Sequence, residues 1–256
     1  GKSWFAALLV SILLGFSPVL IPVYSWAMSE PLSAFLGFSA LVLVVYLLEK
    51  PDQRFLFIAA ALLSGLSFLT RYAALAFVLV DAAAILLLMK RSWLERFLKA
   101  FLFGLLAGIP MLIWLVYDVT HTATVGSRSM ETLADMLGRF YSFWPLLKEA
   151  LLFWIIPESW FYQPVYPSLI NSLLVPAAAL LLFVWAVLLI RQMRRRWVEL
   201  DKRFLNLLLV LTGFILIYLL IIFGVYLTTY PPITIANRML SPIHTSILWL
   251  VALMAA

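Results

Sequence analysis

Long apolar runs broken by short polar or charged clusters dominate the chain. Eight have the composition of membrane spans: residues 4–24, 31–48, 55–69, 73–89, 98–117, 169–190, 204–227 and 239–256. Bilayer hydrocarbon about 30 Å thick takes about 20 apolar residues per helix, so each run reads as one crossing, the short third and fourth as a tilted pair or a deep hairpin. Lipid offers no hydrogen-bond partners, so each span must satisfy its own backbone; the expected fold is an all-α polytopic transmembrane helix bundle of about eight spans. The pattern changes within 118–168. Met130, Leu133, Leu137, Phe140 and Trp144 recur at steps of three and four, while Glu131, Asp135 and Arg139 run down another face. That spacing predicts an amphipathic helix lying in the headgroup layer. The following stretch, LLKEALLFWIIPESWFYQPVYP, is too short before Pro157 to cross and reads as a second interfacial or re-entrant piece. The expected organisation is one transmembrane domain over 1–256, with 118–168 as an extracytoplasmic loop carrying interfacial helices.

Composition agrees with this pattern. Of 256 residues, 65% are hydrophobic and 12% charged, with a mean hydropathy of +1.08, far from the mix of a soluble domain. The net charge of +6 would suit a nucleic-acid surface, but its distribution points to topology and to no nucleic-acid partner. With 191–203 on the cytoplasmic side, alternation puts 13 of the 18 basic residues on that side and 5 opposite, as the positive-inside rule requires. Tyr24, Trp26, Trp114, Tyr117, Tyr226 and Tyr230 then fall at the outer boundary. The chain has no cysteine and two histidines, so thiolate metal sites and disulfides are excluded and a histidine cage is disfavoured. Lys2 leads directly into a span and the far end stops in ILWLVALMAA, which gives the expectation of a fragment at both ends.

The outer side holds the charges that need explaining. Ser29, Glu30 and Pro31 form a helix start, with a cap, an acid at the positive end of the helix dipole and a proline preset for the first turn. That position also holds a carboxylate rigidly beside the water boundary. Arg71, in LTRYA, has barely any loop around it; it either snorkels to headgroups or clamps a phosphate with its planar guanidinium. Arg238 follows a rigid Pro-Pro segment and opens the last span. If the helix begins before it, Asn237, Ser241 and His244 share one face; if Ser241 caps and Pro242 is the first helical residue, Arg238 belongs to the loop. Asp81 is the one acid well inside a span and must be protonated, paired or facing a polar cavity.

With MSEPLSAFLGFSAL, ALLSGLSFLTRYAALAFVL and ANRMLSPIHTSILWL in that order, the chain resembles bacterial membrane glycosyltransferases of the GT-C type. It looks close to glycosyltransferase family 39, a group that includes the dolichyl-phosphate-mannose protein mannosyltransferases and the aminoarabinose transferases of lipid A. The resemblance implies an integral protein of the bacterial cytoplasmic (inner) membrane with its active site facing the extracytoplasmic side. It implies inverting transfer of a sugar from a polyprenyl-phosphate donor to an extracytoplasmic acceptor, which is lipid, glycan or protein. A leading acidic motif in the first outer loop, expected from the family, is absent; the resemblance therefore places the principal catalytic acid upstream of Gly1 and makes this fragment inactive alone. Glu30 would orient the acceptor, hold a divalent cation or support that acid. Arg71 and Arg238 would meet the donor phosphate, with Tyr72, Tyr230 and Asn237 as secondary contacts and His244 as a further candidate.

Two readings from other classes compete. A secondary transporter or lipid-linked-sugar flippase would place ionisable groups near the midplane on broken helices, for which Asp81 and Pro18, Pro22, Pro110 and Pro176 are the candidates. A membrane-anchored scaffold would need no chemistry at all.

Overall fold

The computed structural model describes residues 8, 11–12, 14–15, 17, 20–21, 29–122, 129–130, 133–152, 154, 202–230 and 237–255. The predicted span at 169–190, most of that at 4–24 and most of the second interfacial piece lie outside them. The described chain is helical: α1 Ser29–Glu49, α2 Arg54–Thr70, a 3-10 turn Tyr72–Ala74, α3 Leu75–Leu88, α4 Trp93–Thr122, α5 Leu133–Leu152, α6 Lys202–Thr228 and α7 Asn237–Ala255. Two-residue strands, β1 Ser129–Met130 and β2 Thr229–Tyr230, pair antiparallel. By length and composition α1, the Trp93–Tyr117 part of α4 and α6 are long and apolar enough to cross a membrane; Arg54–Thr70, Tyr72–Leu88 and Met239–Val251 are shorter apolar helices. The chain is thus compatible with a membrane protein.

α1 lies at the centre. It buries Ala34, Phe38, Leu41, Val44, Val45 and Leu48 on several sides, the signature of a helix surrounded by others. α2 packs beside it and buries small residues, Ala60, Ala61, Ser64, Gly65 and Ser67, which let neighbouring backbones approach closely. At Gly65 the approach is extreme: a Cβ there would stand 2.3 Å from the Ala107 carbonyl oxygen of α4. Ser33 and Ser67 tie α1 to α2 reciprocally, each hydroxyl donating to the other's carbonyl, at 3.3 and 2.7 Å. An aromatic knot then joins four helices. Phe77 of α3 stacks on Phe214 of α6 at 4.2 Å, and Phe38 of α1 touches Phe77, Phe214 and Trp249 of α7 at 5.2 to 5.7 Å.

α4 shows the opposite pattern. It buries a narrow stripe, Phe103, Ala107 and Met111, and exposes Phe97, Phe101, Leu105, Leu112 and Ile113. An outward apolar surface of that extent is what a lipid-facing helix presents and what soluble proteins avoid.

The amphipathic segment differs from its expectation. The helix begins at Leu133, not Met130, which pairs with Thr229 instead, and it runs without a break through Pro145 into LLKEALL. Proline removes one helical hydrogen bond, but packing in the turns before it compensates. Phe143 lies against Phe223 and Tyr226 of α6, and Arg139 Nη1 donates to the Tyr226 carbonyl at 3.3 Å. Tyr226, expected in an aromatic belt, is buried by that contact.

Candidate functional site

Arg71 owes its position to the end of α2. Its backbone is extended, with φ −153° and ψ 129°, and its N–H still donates to the Ser67 carbonyl at 3.1 Å. Its own carbonyl accepts from Ala74 N–H at 2.9 Å, opening the 3-10 turn that leads into α3. Arg71 is therefore the tip of a tight hairpin between two apolar helices, with no loop to carry its guanidinium into water. It reaches sideways. Nη1 of Arg71 pairs with Oε1 of Glu30 at the start of α1. Glu30 is buried, at 6% exposure, and the Arg71 side chain keeps 22%. A carboxylate taken from water needs such a partner.

Around the pair lie Ser33, Ala73, Ala74, Phe77, Tyr218 and Pro242, enclosing a free space of about 10 Å³, room for about one water molecule. Tyr218 is held there because its hydroxyl donates to the Met239 carbonyl of α7 at 2.8 Å. Tyr218, Ser33 and Phe77 did not stand out in the sequence, and Pro242 did so only as a possible helix start. The available signal was a lone hydroxyl, Tyr218, inside the apolar run GFILIYLLIIF, where an unpartnered O–H is costly.

A second space, sharing no lining residue with the first, starts at the same end of α1. Pro31, the residue after Glu30, opens a groove of about 770 Å³ that descends α1 past Ala34, Phe38 and Val42, with Leu63, Thr245 and Trp249 on its other walls. Its size is that of a small-molecule site. Pro31 and Val42 stand eleven helical steps apart, which makes it roughly 17 Å long. It is almost wholly apolar, and neither Glu30 nor Arg71 lines it.

The other sequence candidates divide. The backbone of Arg238 lies in the first turn of α7, one turn before Pro242 of the small cavity, while its side chain and those of Asn237 and Tyr230 lie outside the described residues. α7 starts at Asn237, so Pro242 is inside the helix. Tyr72 is 61% exposed and touches Trp114 of α4 edge-on at 6.1 Å; it does not line the cavity. His244 faces elsewhere: its Nε2 lies 3.0 Å from Ser17 Oγ and its ring 4.8 Å from Trp154, a helix-packing role. Asp81 is fully buried one helix away, accepting from Ser64 Oγ through Oδ2, with no hydrogen-bond partner at Oδ1 among the described residues. Among the described residues no three acids or histidines converge as a metal site.

Comparison with protein-family models, curated proteins and solved structures finds no match for this chain.

Proposed function

We propose that this chain is the core of an eight-span membrane glycosyltransferase that takes a sugar from a polyprenyl-phosphate donor and passes it to an extracytoplasmic acceptor. One observation supports the reading: a buried carboxylate–guanidinium pair stands at the end of α1 from which, on another face of that helix, a long apolar groove starts at Pro31. An amphiphile with one phosphate and a long hydrocarbon tail fits both parts, the tail along α1 and the phosphate at Arg71. The 13-to-5 charge distribution puts the pair on the extracytoplasmic side of a bacterial cytoplasmic membrane. α5 then lies at that surface, docked on the end of α6.

The free space at the pair holds no more than a water, so the donor has to part it. Its phosphate takes the guanidinium bidentately and releases Glu30 from its counterion. In the transfer the acceptor hydroxyl oxygen attacks the anomeric carbon with inversion. The bond from that carbon to the phosphate oxygen breaks, and the electron pair leaves with polyprenyl phosphate. The hydroxyl proton passes to a carboxylate. Glu30 supports this step by orienting the acceptor, holding a divalent cation or assisting an acid from the chain upstream. Arg71, with Arg238 one turn from the cavity, meets the charge that grows on the departing phosphate. Tyr230 and Asn237 stand at the same end.

The test is transfer of labelled sugar from polyprenyl phosphate by the full-length protein in liposomes. Arg71→Ala and Arg238→Ala should each abolish transfer while the protein remains folded; full activity in both would end the assignment. The transporter or flippase reading has one observation in its favour, the buried Asp81 with an unpartnered oxygen. Solute uptake against a gradient, without sugar transfer, would establish it instead.

A further inference from the structure

The hairpin of α2 and α3 carries Arg71 at its tip and an acid in its middle. Asp81 stands halfway along α3, with about 10 Å of helix between it and either end. Its exposure is 0%. Oδ2 accepts from Ser64 Oγ across the hairpin, and Oδ1 is buried with no hydrogen-bond partner among the described residues. Asp81 lines neither the space at Glu30 and Arg71 nor the groove along α1.

An ionised carboxyl in that place needs a cation, and the cations of the neighbouring elements are engaged elsewhere. Arg71 pairs with Glu30, Arg91 with Asp52 and Arg203 with Glu49. Lys99 Nζ donates to the Pro51 carbonyl at 2.6 Å, and the Arg96 guanidinium lies over the Trp93 ring at 5.4 Å. Arg54, Lys90 and Lys202 stand exposed at helix ends. The helices packed on α3 are α1, α2, α4 and α6. Outside their first and last two turns the one titratable side chain on them is Tyr218, whose O–H goes to the Met239 carbonyl at 2.8 Å.

An ionised carboxylate offers about four lone-pair sites and here meets one donor. Its charge would cost far more than a single unmet O–H on a neutral acid. We propose that Asp81 is a proton-binding site. Oδ1 holds the proton, and Oδ2, as the carbonyl oxygen of a neutral acid, takes the Ser64 hydroxyl. The acid thereby clips α2 to α3 two turns from Arg71. Ser33 and Ser67 tie α2 to α1 one turn nearer the tip, so the two clips together fix the hairpin that presents Arg71 to Glu30. Asp81 is a positioning residue, and its proton stays in place. The site is independent of any sugar chemistry at Arg71.

Infrared difference spectroscopy of the full chain in liposomes at neutral pH reads the acid directly. Subtracting the spectrum of Asp81→Asn from that of the unaltered protein should leave a carboxylic C=O band and no carboxylate band. A hydrogen bond to a carbonyl oxygen weakens its double bond, so Ser64→Ala should move that band to higher frequency. Transfer to heavy water should shift it only slowly. The difference between Ser64→Ala and the unaltered protein, both labelled with carboxyl-13C aspartate, isolates the same band and keeps the test open if Asp81→Asn fails to fold. A carboxylate band in either difference spectrum, or a C=O band that Ser64→Ala leaves in place, overturns the proposal. A prompt shift in heavy water overturns it too, since the proton would then be the mobile one that a proton-coupled carrier needs.

Discussion

Replacing Arg71 by alanine leaves the Glu30 carboxylate at 6% exposure in a space of about one water, with Ser33 and Tyr218 the only polar side chains left on its wall. Tyr218 already donates its O–H to the Met239 carbonyl. Removing one member of a buried ion pair costs about 3–5 kcal/mol because the other charge stays behind uncompensated. Arg71 retains 22% of its side-chain exposure, which places the loss at the lower end, about 3 kcal/mol. The double variant Arg71→Ala/Glu30→Gln removes that stranded charge and loses only hydrogen bonds worth about 1 kcal/mol. The two sites should therefore couple by about 2 kcal/mol or more. Equilibrium unfolding in mixed micelles, followed by far-ultraviolet circular dichroism as sodium dodecyl sulfate is raised, measures all four corners of the cycle. Single variants costing less than about 0.5 kcal/mol, or effects that simply add, would refute the buried pair.

Gly65→Ala should cost about 1–3 kcal/mol in the same assay, since its Cβ meets the Ala107 backbone at 2.3 Å, whereas Gly104→Ala and Gly108→Ala, which meet nothing within 4 Å, should not destabilise. Because Lys202 lowers the Lys90 pKa from 10.5, the folded chain gives up that proton before the unfolded one. Stability in uncharged detergent should then rise with pH through the folded value toward 10.5, and Lys90→Gln should flatten the rise. Asp81→Asn keeps an acceptor for Ser64 and should leave sugar transfer intact; loss of function in a folded Asp81→Asn protein would move the chemistry to the middle of the membrane.

Glu30 and Arg71 were legible in the sequence for a physical reason. Charges are so rare in these runs that alternation alone carries both to the same end of a hairpin, and the structure brings them into contact. The helices were legible for the same reason, since apolar run length is a strong signal when lipid leaves the backbone no other choice. What escaped depends on contacts between runs. Tyr218 is one hydroxyl among leucines, and only the position of Met239 on another helix shows why it is there. Ser33 and Ser67 read as ordinary small residues until their hydroxyls are seen to cross-bond α1 and α2. LLKEALL was expected to open a second interfacial piece, yet one helix runs through Pro145 into it, with the aromatic packing of Phe143 on Phe223 and Tyr226 just before the proline. Periodicity reports the face a residue occupies and says nothing of its partner.

The most direct measurement is cross-linking with a polyprenyl phosphate carrying a photoreactive group near its first isoprene unit, in liposomes, with adducts mapped by peptide sequencing. If the phosphate rests at Arg71 and the tail follows α1, adducts should concentrate on Phe35, Phe38, Leu63 and Trp249 of the groove and vanish in Arg71→Ala. Adducts spread over the exposed face of α4, or adducts in the groove that persist without Arg71, would contradict it.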